Sequence, residues 1–504
     1  MTRPGPLVLG LLGAAFYLFI QFQGEYLYDG DAYFHIKIAA LFLEGGPPWS
    51  LPWMAHAIHA ERYVNFHFLY HVLLTPFVFV FDLITAAKVS AALFAGFSVG
   101  CFALLIGRVV PRERLWFWVL LLLCASPVFT GRLMFGRTTT LFLGMVFLFL
   151  YFLETKRIRW AAVLCALAVW TYPGFPLLLV AAGVLFVSTG LREGKWPWPV
   201  VLYPGCAALA AFVLHPAFPH HFHGYYLEWV VHTLGPAELE AIGEWQPAPL
   251  EIGLLAVALP GLLALGGVLR RAPWTTFDVS LGCFTICLVV SGLRSIKALE
   301  YLVPMLLVLA AIRWHRPPDL GERTRDLLGA GVLLVVLVLA LPDLYRRTGQ
   351  QEALMRPHAA FAVADWLGSR NRDGEIVLVA WDVFPFFFFR NDRVRYSFGL
   401  NPVYAYGADP RRYVLLRRLF ESGQVEPERI VRDLGSRVVV LRRGVNARAI
   451  ARFDASASAR RVFFNDWFVV FEIAPPAGSS DSPTTPAPAG TSSPSADAKA
   501  DFRT

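Results

Sequence analysis

The sequence predicts a polytopic α-helical membrane protein that ends in a small mixed α/β domain. Three observations lead there. Of 504 residues, 56% are hydrophobic and only 16% charged, where a soluble chain carries about a quarter charged residues. Apolar windows near the ~20 residues that cross a bilayer recur as far as residue 342. Beyond Asp343 the pattern changes to short apolar runs alternating with polar helical stretches.

Taken in order, the spanning segments fall near 7–22, 83–107, 115–129, 138–153, 160–173, 175–189, 198–214, 251–269, 275–292, 299–312 and 327–342, about 11 spans in all. No small-residue cleavage site follows the first, which reads as a retained helix and not as a cleaved signal. The run 66–81 is apolar enough to span, yet carries His67, His71 and Pro76. It reads as a helix lying at the interface or re-entering it. Basic connections at Arg108–Arg114, Lys156–Arg159, Arg192–Lys195, Arg270–Arg271 and Arg313–Arg325 are separated by pairs of spans, so they share one side. The positive-inside rule makes that side the cytoplasm. Loops 23–82, 130–137, 215–250 and 293–298, and everything after Asp343, then lie on the external face of the plasma (inner) membrane.

After Asp343, strands are expected at Ile376–Ala380, Val438–Leu441, Val462–Phe464 and Phe468–Ile473, with helices at Pro410–Ser422 and Pro427–Leu434. From Ala474 the chain is Pro, Ser, Thr, Ala and Gly, too poor in apolar groups to offset its ordering entropy. The expected organisation is therefore a membrane domain over 1–342, a mixed α/β domain over 343–474 and a disordered tail over 475–504.

Composition also excludes. The net charge of +8 follows from loop basicity on one membrane side, and no basic-aromatic nucleic-acid module is present. Cys101, Cys124, Cys165, Cys206, Cys283 and Cys287 all sit in apolar segments without metal spacing and read as small core hydrophobes. No internal repeat, glycine-rich phosphate loop or nucleophile-elbow turn occurs.

Polar residues gather in the external loops: Asp29, Asp31, His35 and Lys37; Arg132 and Arg137; Glu228, Glu240 and Glu244; and Arg294, Lys297 and Glu300. His215, His220, His221 and His223 lack regular ligand spacing, and Tyr172-Pro-Gly-Phe175 reads as a helix break facing a cavity. Carboxylates from separate loops can hold Mg²⁺ or Mn²⁺, hard cations that prefer oxygen. Arginine and lysine at headgroup depth can hold a lipid phosphate.

Three stretches then resemble one family, the oligosaccharyltransferase catalytic subunits. Asp31-Ala-Tyr-Phe-His-Ile-Lys37 is similar to the family's first-loop motif, Gly243-Glu244-Trp-Gln-Pro247 to an element of its long fifth external loop, and Arg294-Ser-Ile-Lys-Ala-Leu-Glu-Tyr301 with Pro304 to the segment that follows. The resemblance implies a GT-C fold and transfer of sugar from a polyprenyl-(di)phosphate donor, with membrane lipids as surroundings. It further implies that Asp31 activates the acceptor and binds metal with Glu244, and that Arg294 meets the donor phosphate. By position, Asp29 is a further metal candidate, Lys297 and Arg137 are further phosphate candidates, and Trp381 and Asp382, which match what survives of the family's acceptor motif, are the acceptor candidates.

The chain departs from the family at three places. The second loop, Gly131 to Leu141, carries arginines and no acid. Lys37 stands where the family has arginine. Trp381-Asp-Val-Phe-Pro385, followed by Phe386–Phe389, replaces the motif that reads the acceptor hydroxyl. The phenylalanine run is expected to offer an apolar acceptor surface that needs no Asn-x-Ser/Thr sequence. A transporter or lipid flippase, or an inactive GT-C-like scaffold, remains open at this point.

Overall fold

The computed structural model describes residues 5–475, apart from 125, 237–238, 240–241, 317–330, 332–355 and 371. The expected span at 327–342 (Gly331 apart), Glu240 and the tail from 476 lie outside the described residues.

The bundle is built from α1 (Pro6–Gln21), α2 (Gly30–Gly45), α3 (Phe68–Val80), α4 (Leu83–Ile106), α5 (Arg112–Cys124), α6 (Pro127–Leu133), α7 (Thr138–Glu154), α8 (Ile158–Thr171), α9 (Pro176–Glu193) and α10 (Pro199–Val213). After an irregular helical stretch containing α11 (His221–Tyr225) and α12 (His232–Leu234), it closes with α13 (Leu250–Val268), α14 (Thr276–Gly292) and α15 (Leu299–Trp314). Among the described residues, α4, α9 and α13 are long and apolar enough to cross a membrane, and α1, α3, α7, α8, α10 and α14 are shorter apolar helices.

Small residues bring α1 and α4 together. A Cβ at Gly96 would stand 2.5 Å from Ala14 Cβ and 2.7 Å from the Gly10 carbonyl. Such close backbone approach is how helices pack where lipid supplies no hydrophobic drive between them. The two run antiparallel, with Gly100 beside Pro6 and Gly10. Buried Lys88, near the start of α4, donates to the Gly24 and Glu25 carbonyls beyond the end of α1. This fixes α3. It begins at His67, which reaches Thr138 at the start of α7, and ends at Asp82, which caps α4. Its 13 residues measure about 20 Å at 1.5 Å each, short of the roughly 20 residues that cross a bilayer.

At the other end the basic connections gather. Arg108 pairs with Glu154 at 3.1 Å, and Arg192 donates to the Trp274 carbonyl at 2.9 Å. Arg313 and Asp278, both fully buried, lie 3.5 Å apart, and Arg316 meets the same carboxylate at 2.9 Å.

The carboxy-terminal domain is a five-stranded mixed sheet in the order β2-β1-β3-β5-β4, with β1 (Ile376–Leu378), β2 (Arg395–Tyr396), β3 (Val438–Arg442), β4 (Ala459–Phe464) and β5 (Phe468–Ile473). β1 pairs in parallel with β2 and β3, while β5 runs antiparallel to β3 and β4. The four expected strands form, with ends shifted by a few residues. β2 is the addition. Its outer edge receives the first loop, where Tyr396 N–H donates to the Trp53 carbonyl, Ala55 N–H to the Tyr396 carbonyl and His56 N–H to the Ser397 carbonyl, at 2.7–2.8 Å.

The phenylalanine run corrects an expectation. It forms helix Phe384–Arg390, and Phe384, Phe386, Phe387 and Phe388 are at most 2% exposed. The helix packs on α2: the Phe386 ring centroid lies 5.0 Å from Tyr33, and Phe388 lies 6.0 Å from Phe34. These rings dock the domain onto the first loop and present no acceptor surface. Lys37 adds an ion pair to Asp392 at 2.8 Å across the same junction.

Candidate active site

The site lies where the first, second and long loops meet the carboxy-terminal domain. Asp29 occupies the N-cap position of α2 in extended conformation (φ −145°, ψ 138°), yet its carboxylate caps no helical N–H. It turns instead to Arg137, whose Nε–H and Nη2–H donate to Asp29 Oδ2 and Oδ1 at 2.6 Å each. Asp31 sits in the first turn of α2, where the helix dipole favours a carboxylate. Its side chain is 43% exposed and lies 3.3 Å from Arg137 Nε.

Arg137 reaches this position because its loop is pinned. Gly136 lies against Ala32 of α2, where a Cβ would stand 2.9 Å from Ala32 Cβ. The Gly136 carbonyl accepts from Tyr70 at 3.0 Å.

Glu244 comes from the long loop. It accepts from Arg137 Nη1 and from Arg132 Nη2, the latter at 2.9 Å, and lies 3.7 Å from Lys297 Nζ. Arg132 also donates to Glu300. The loop is held by Ser295, whose hydroxyl donates to the Glu244 carbonyl at 2.7 Å, and by Ile296 N–H on the Gln246 carbonyl at 2.9 Å.

The charges set one another. Burial drives the Glu244 carboxyl upward, but Arg137, Lys297 and Arg132 outweigh it and hold it below the ordinary carboxylate range. Burial is also the largest influence on Asp29; with Asp31 and Glu244 nearby it outweighs Arg137 and lifts that carboxyl to about 6. Burial would lower Lys297, yet Tyr172, Glu244 and Glu300 keep it above its usual value and charged. Burial, aided by Arg137, depresses His35 to about 3, so it is neutral where it meets His71 at 2.8 Å.

Two cavities open on this cluster. One of about 550 Å³ is lined by Asp29, Asp31, Arg132, Arg137, Glu244 and Lys297, and by Trp381, Asp382, Asn401 and Tyr404 of the carboxy-terminal domain. The other, about 740 Å³, is lined by Tyr172, Gly174, Arg294, Ser295, Lys297 and Tyr301. Trp245 and Lys297 form part of both walls. The helix break at Tyr172 therefore faces a cavity, as its sequence suggests. Arg294 is exposed on the larger cavity and has no ion-pair partner among the described residues.

All the expected site residues line one or other cavity, with three corrections. Asp29, Asp31 and Glu244 do come together, but around the Arg137 guanidinium. The donor set therefore does not fit a Mg²⁺ or Mn²⁺ ion, whose oxygen ligands must converge on a common centre about 2.0–2.2 Å away. Among the described residues no group of three or more His, Cys, Asp or Glu is arranged for a metal, and the loop histidines do not supply one: His220 meets Arg62 at 3.2 Å while His215 stacks on His221. Arg137, expected on the donor phosphate, directs its nitrogens to carboxylates. Asp382, expected at the acceptor, is paired with Arg442 at 2.6 Å.

Glu228, singled out in the long loop by sequence but given no role there, acquires one from its partners. It accepts from Asn401 at 2.9 Å and from the Tyr404 hydroxyl at 3.1 Å inside the smaller cavity. Burial raises its carboxyl above the ordinary value despite those donors and Lys297. The only available signal was Asn401 before Pro402, a helix start that says nothing of a partner 173 residues away.

No family model matches the chain, and no curated protein matches it. Solved structures do. ArnT from Cupriavidus metallidurans bound to undecaprenyl phosphate superposes with a TM-score of 0.60 at 16% identity, covering 92% of this chain and 97% of that one. The same protein in its apo state gives 0.59 over the same shares. The Archaeoglobus fulgidus oligosaccharyltransferase, in complex with Zn and sulfate, gives 0.57 at 12% identity, covering 86% and 68%. At such identities the likeness concerns the fold, and it spans the helical bundle and the appended domain together: this chain shares the fold of ArnT and of the archaeal oligosaccharyltransferase.

Proposed function

We propose that the chain is a membrane glycosyltransferase that moves a sugar from a polyprenyl-phosphate-linked donor to an acceptor at the external face. The observation that carries this reading is the pairing of a solvent-reachable carboxylate, Asp31, with Lys297 and Arg294 across two cavities that share a wall. The ArnT structure bound to undecaprenyl phosphate supports a polyprenyl-phosphate partner.

The chemistry follows from the positions. The donor phosphate lies toward Arg294 and Lys297, where cations at headgroup depth hold it and stabilise the negative charge that grows on it as the sugar leaves. Asp31, the exposed carboxylate, accepts the acceptor's proton or orients its nucleophile. Asp29 and Glu244 place Arg137 and Arg132 and so keep the cationic wall rigid. The acceptor enters beside Trp381. With Asp382 paired to Arg442 and Phe384 buried, no hydroxyl-reading surface forms there, which favours an acceptor other than an Asn-x-Ser/Thr peptide.

The buried polar network sits at one end of the bundle, which argues against a transporter, whose polar site belongs near midspan. Mass spectrometry of lipid-linked sugars and surface glycoconjugates, with and without the protein, tests the reading. The proposal requires accumulation of a lipid-linked sugar and loss of a glycoconjugate when the protein is absent; unchanged profiles for both count against it.

A further inference from the structure

The second loop lacks the acid that a metal site built on Asp29, Asp31 and Glu244 would need, and the structure shows what stands there instead. We infer that the Arg137 guanidinium is a built-in substitute for a divalent cation, so that this site works without Mg²⁺ or Mn²⁺.

Every nitrogen of the guanidinium faces a carboxylate. Nη2 and Nε meet the two oxygens of Asp29 at 2.6 Å, Nε also lies 3.3 Å from Asp31, and Nη1 donates to Glu244. The planar fork of arginine suits this, since it presents fixed donors and stays charged at every physiological pH. The arrangement is held from behind. Gly136 is packed on Ala32 and bonded to Tyr70, which holds the backbone that carries Arg137 against α2. The Asp29 side chain is 2% exposed and would be a buried, unpaired charge without its partner, a state proteins avoid.

Arginine and a divalent ion do the same electrostatic work on these carboxylates, but with different consequences. The guanidinium donates hydrogen bonds and exchanges no ligands. Its charge is consumed by three carboxylates, so compensation of the donor phosphate passes to Lys297 and Arg294. The inference rests on the glycosyltransferase reading only in calling this cluster a reaction centre; ion binding is measurable without any donor sugar.

The test uses the detergent-purified full chain, with Mn²⁺ as the probe, followed by electron paramagnetic resonance titration and thermal unfolding. The wild type should show no saturable Mn²⁺ site and no change in unfolding temperature on adding Mn²⁺ or excess EDTA. Arg137→Gln should gain a single saturable site and a Mn²⁺-dependent rise in unfolding temperature, both lost in Arg137→Gln/Glu244→Gln. Saturable Mn²⁺ binding by the wild type that Glu244→Gln abolishes would overturn the inference, and that measurement stands even if the Arg137 variants do not fold. A folded Arg137→Gln with no Mn²⁺ site would also overturn it. Sugar transfer that fails in all forms while the binding results hold would count against the glycosyltransferase reading alone.

Discussion

Phe388 tests whether the carboxy-terminal domain positions the site. Its side chain is fully buried, stacks on Phe384 at 5.4 Å with an interplanar angle of 8°, and meets Trp53 at 5.1 Å and Phe34 at 6.0 Å. Phe34 is on α2, three residues after Asp31. Truncation to alanine removes a buried ring that joins the domain, the first loop and α2, and core Phe→Ala changes cost about 3–5 kcal/mol. That cost raises the population of a loosened state by roughly two to nearly four orders of magnitude at 1.36 kcal/mol per decade. The domain stays attached, because Lys37–Asp392 and the ladder between residues 53–56 and 396–397 remain. The loss should therefore appear as faster amide exchange in residues 30–45 and lower activity, with little change in α13 and α14. Phe464→Ala, at a ring 68% exposed on β4, is the control and should cost within about 0.5 kcal/mol of nothing. If Phe388→Ala leaves exchange across α2 as slow as Phe464→Ala does, the domain does not hold the site and the docking argument fails.

Three further outcomes are expected. Activity should fall as pH drops through about 6, because protonating Asp29 removes the carboxylate that holds Arg137 against Asp31 and Glu244. Burial lifts the Asp29 carboxyl above its ordinary value, so it binds its proton more tightly in the folded chain than in the unfolded one; protonation in this window favours the fold, and activity should be lost without unfolding; a flat profile well below that pH contradicts the assignment. Arg294→Ala should raise the KM for donor by roughly 10–150-fold, the worth of a charge-assisted hydrogen bond of about 1.5–3 kcal/mol, with unfolding temperature unchanged because Arg294 has no ion-pair partner among the described residues. Lys297→Ala should lose affinity and stability together, since Lys297 also faces Glu244 and lies over the Trp245 and Tyr172 rings; an effect on kcat alone for either variant would remove both from the phosphate site.

Local pattern carried much of this architecture. Ala459–Phe464 and Phe468–Ile473 read as strands because β-branched and aromatic residues cluster between turn residues, and they form one antiparallel pair. Asp29, Asp31, Glu244, Arg137 and Lys297 were legible as a group because charged residues are costly beside a hydrocarbon slab unless they pair. Their pairing was not legible. Arg137 meets Asp29 across 108 residues, and an arginine in a short loop looks the same whether it faces solvent, a phosphate or a carboxylate. The phenylalanine run misled for a related reason: four consecutive aromatics after a Pro give no period, so burial on α2 could not be told from exposure. β2 has two residues, too few for any alternation, yet its edge seats the first loop.

The most direct test of the account is turnover by the purified chain given a polyprenyl-phosphate-linked sugar, followed as release of polyprenyl phosphate, for the wild type and for Asp31→Asn. Asparagine keeps the shape and the start of α2 but cannot take a proton. The account predicts release by the wild type and its near-complete loss in Asp31→Asn, with donor affinity and unfolding temperature preserved. Equal release by both proteins would contradict it, because the solvent-reachable carboxylate at the centre of the proposed mechanism would then have no part in the reaction.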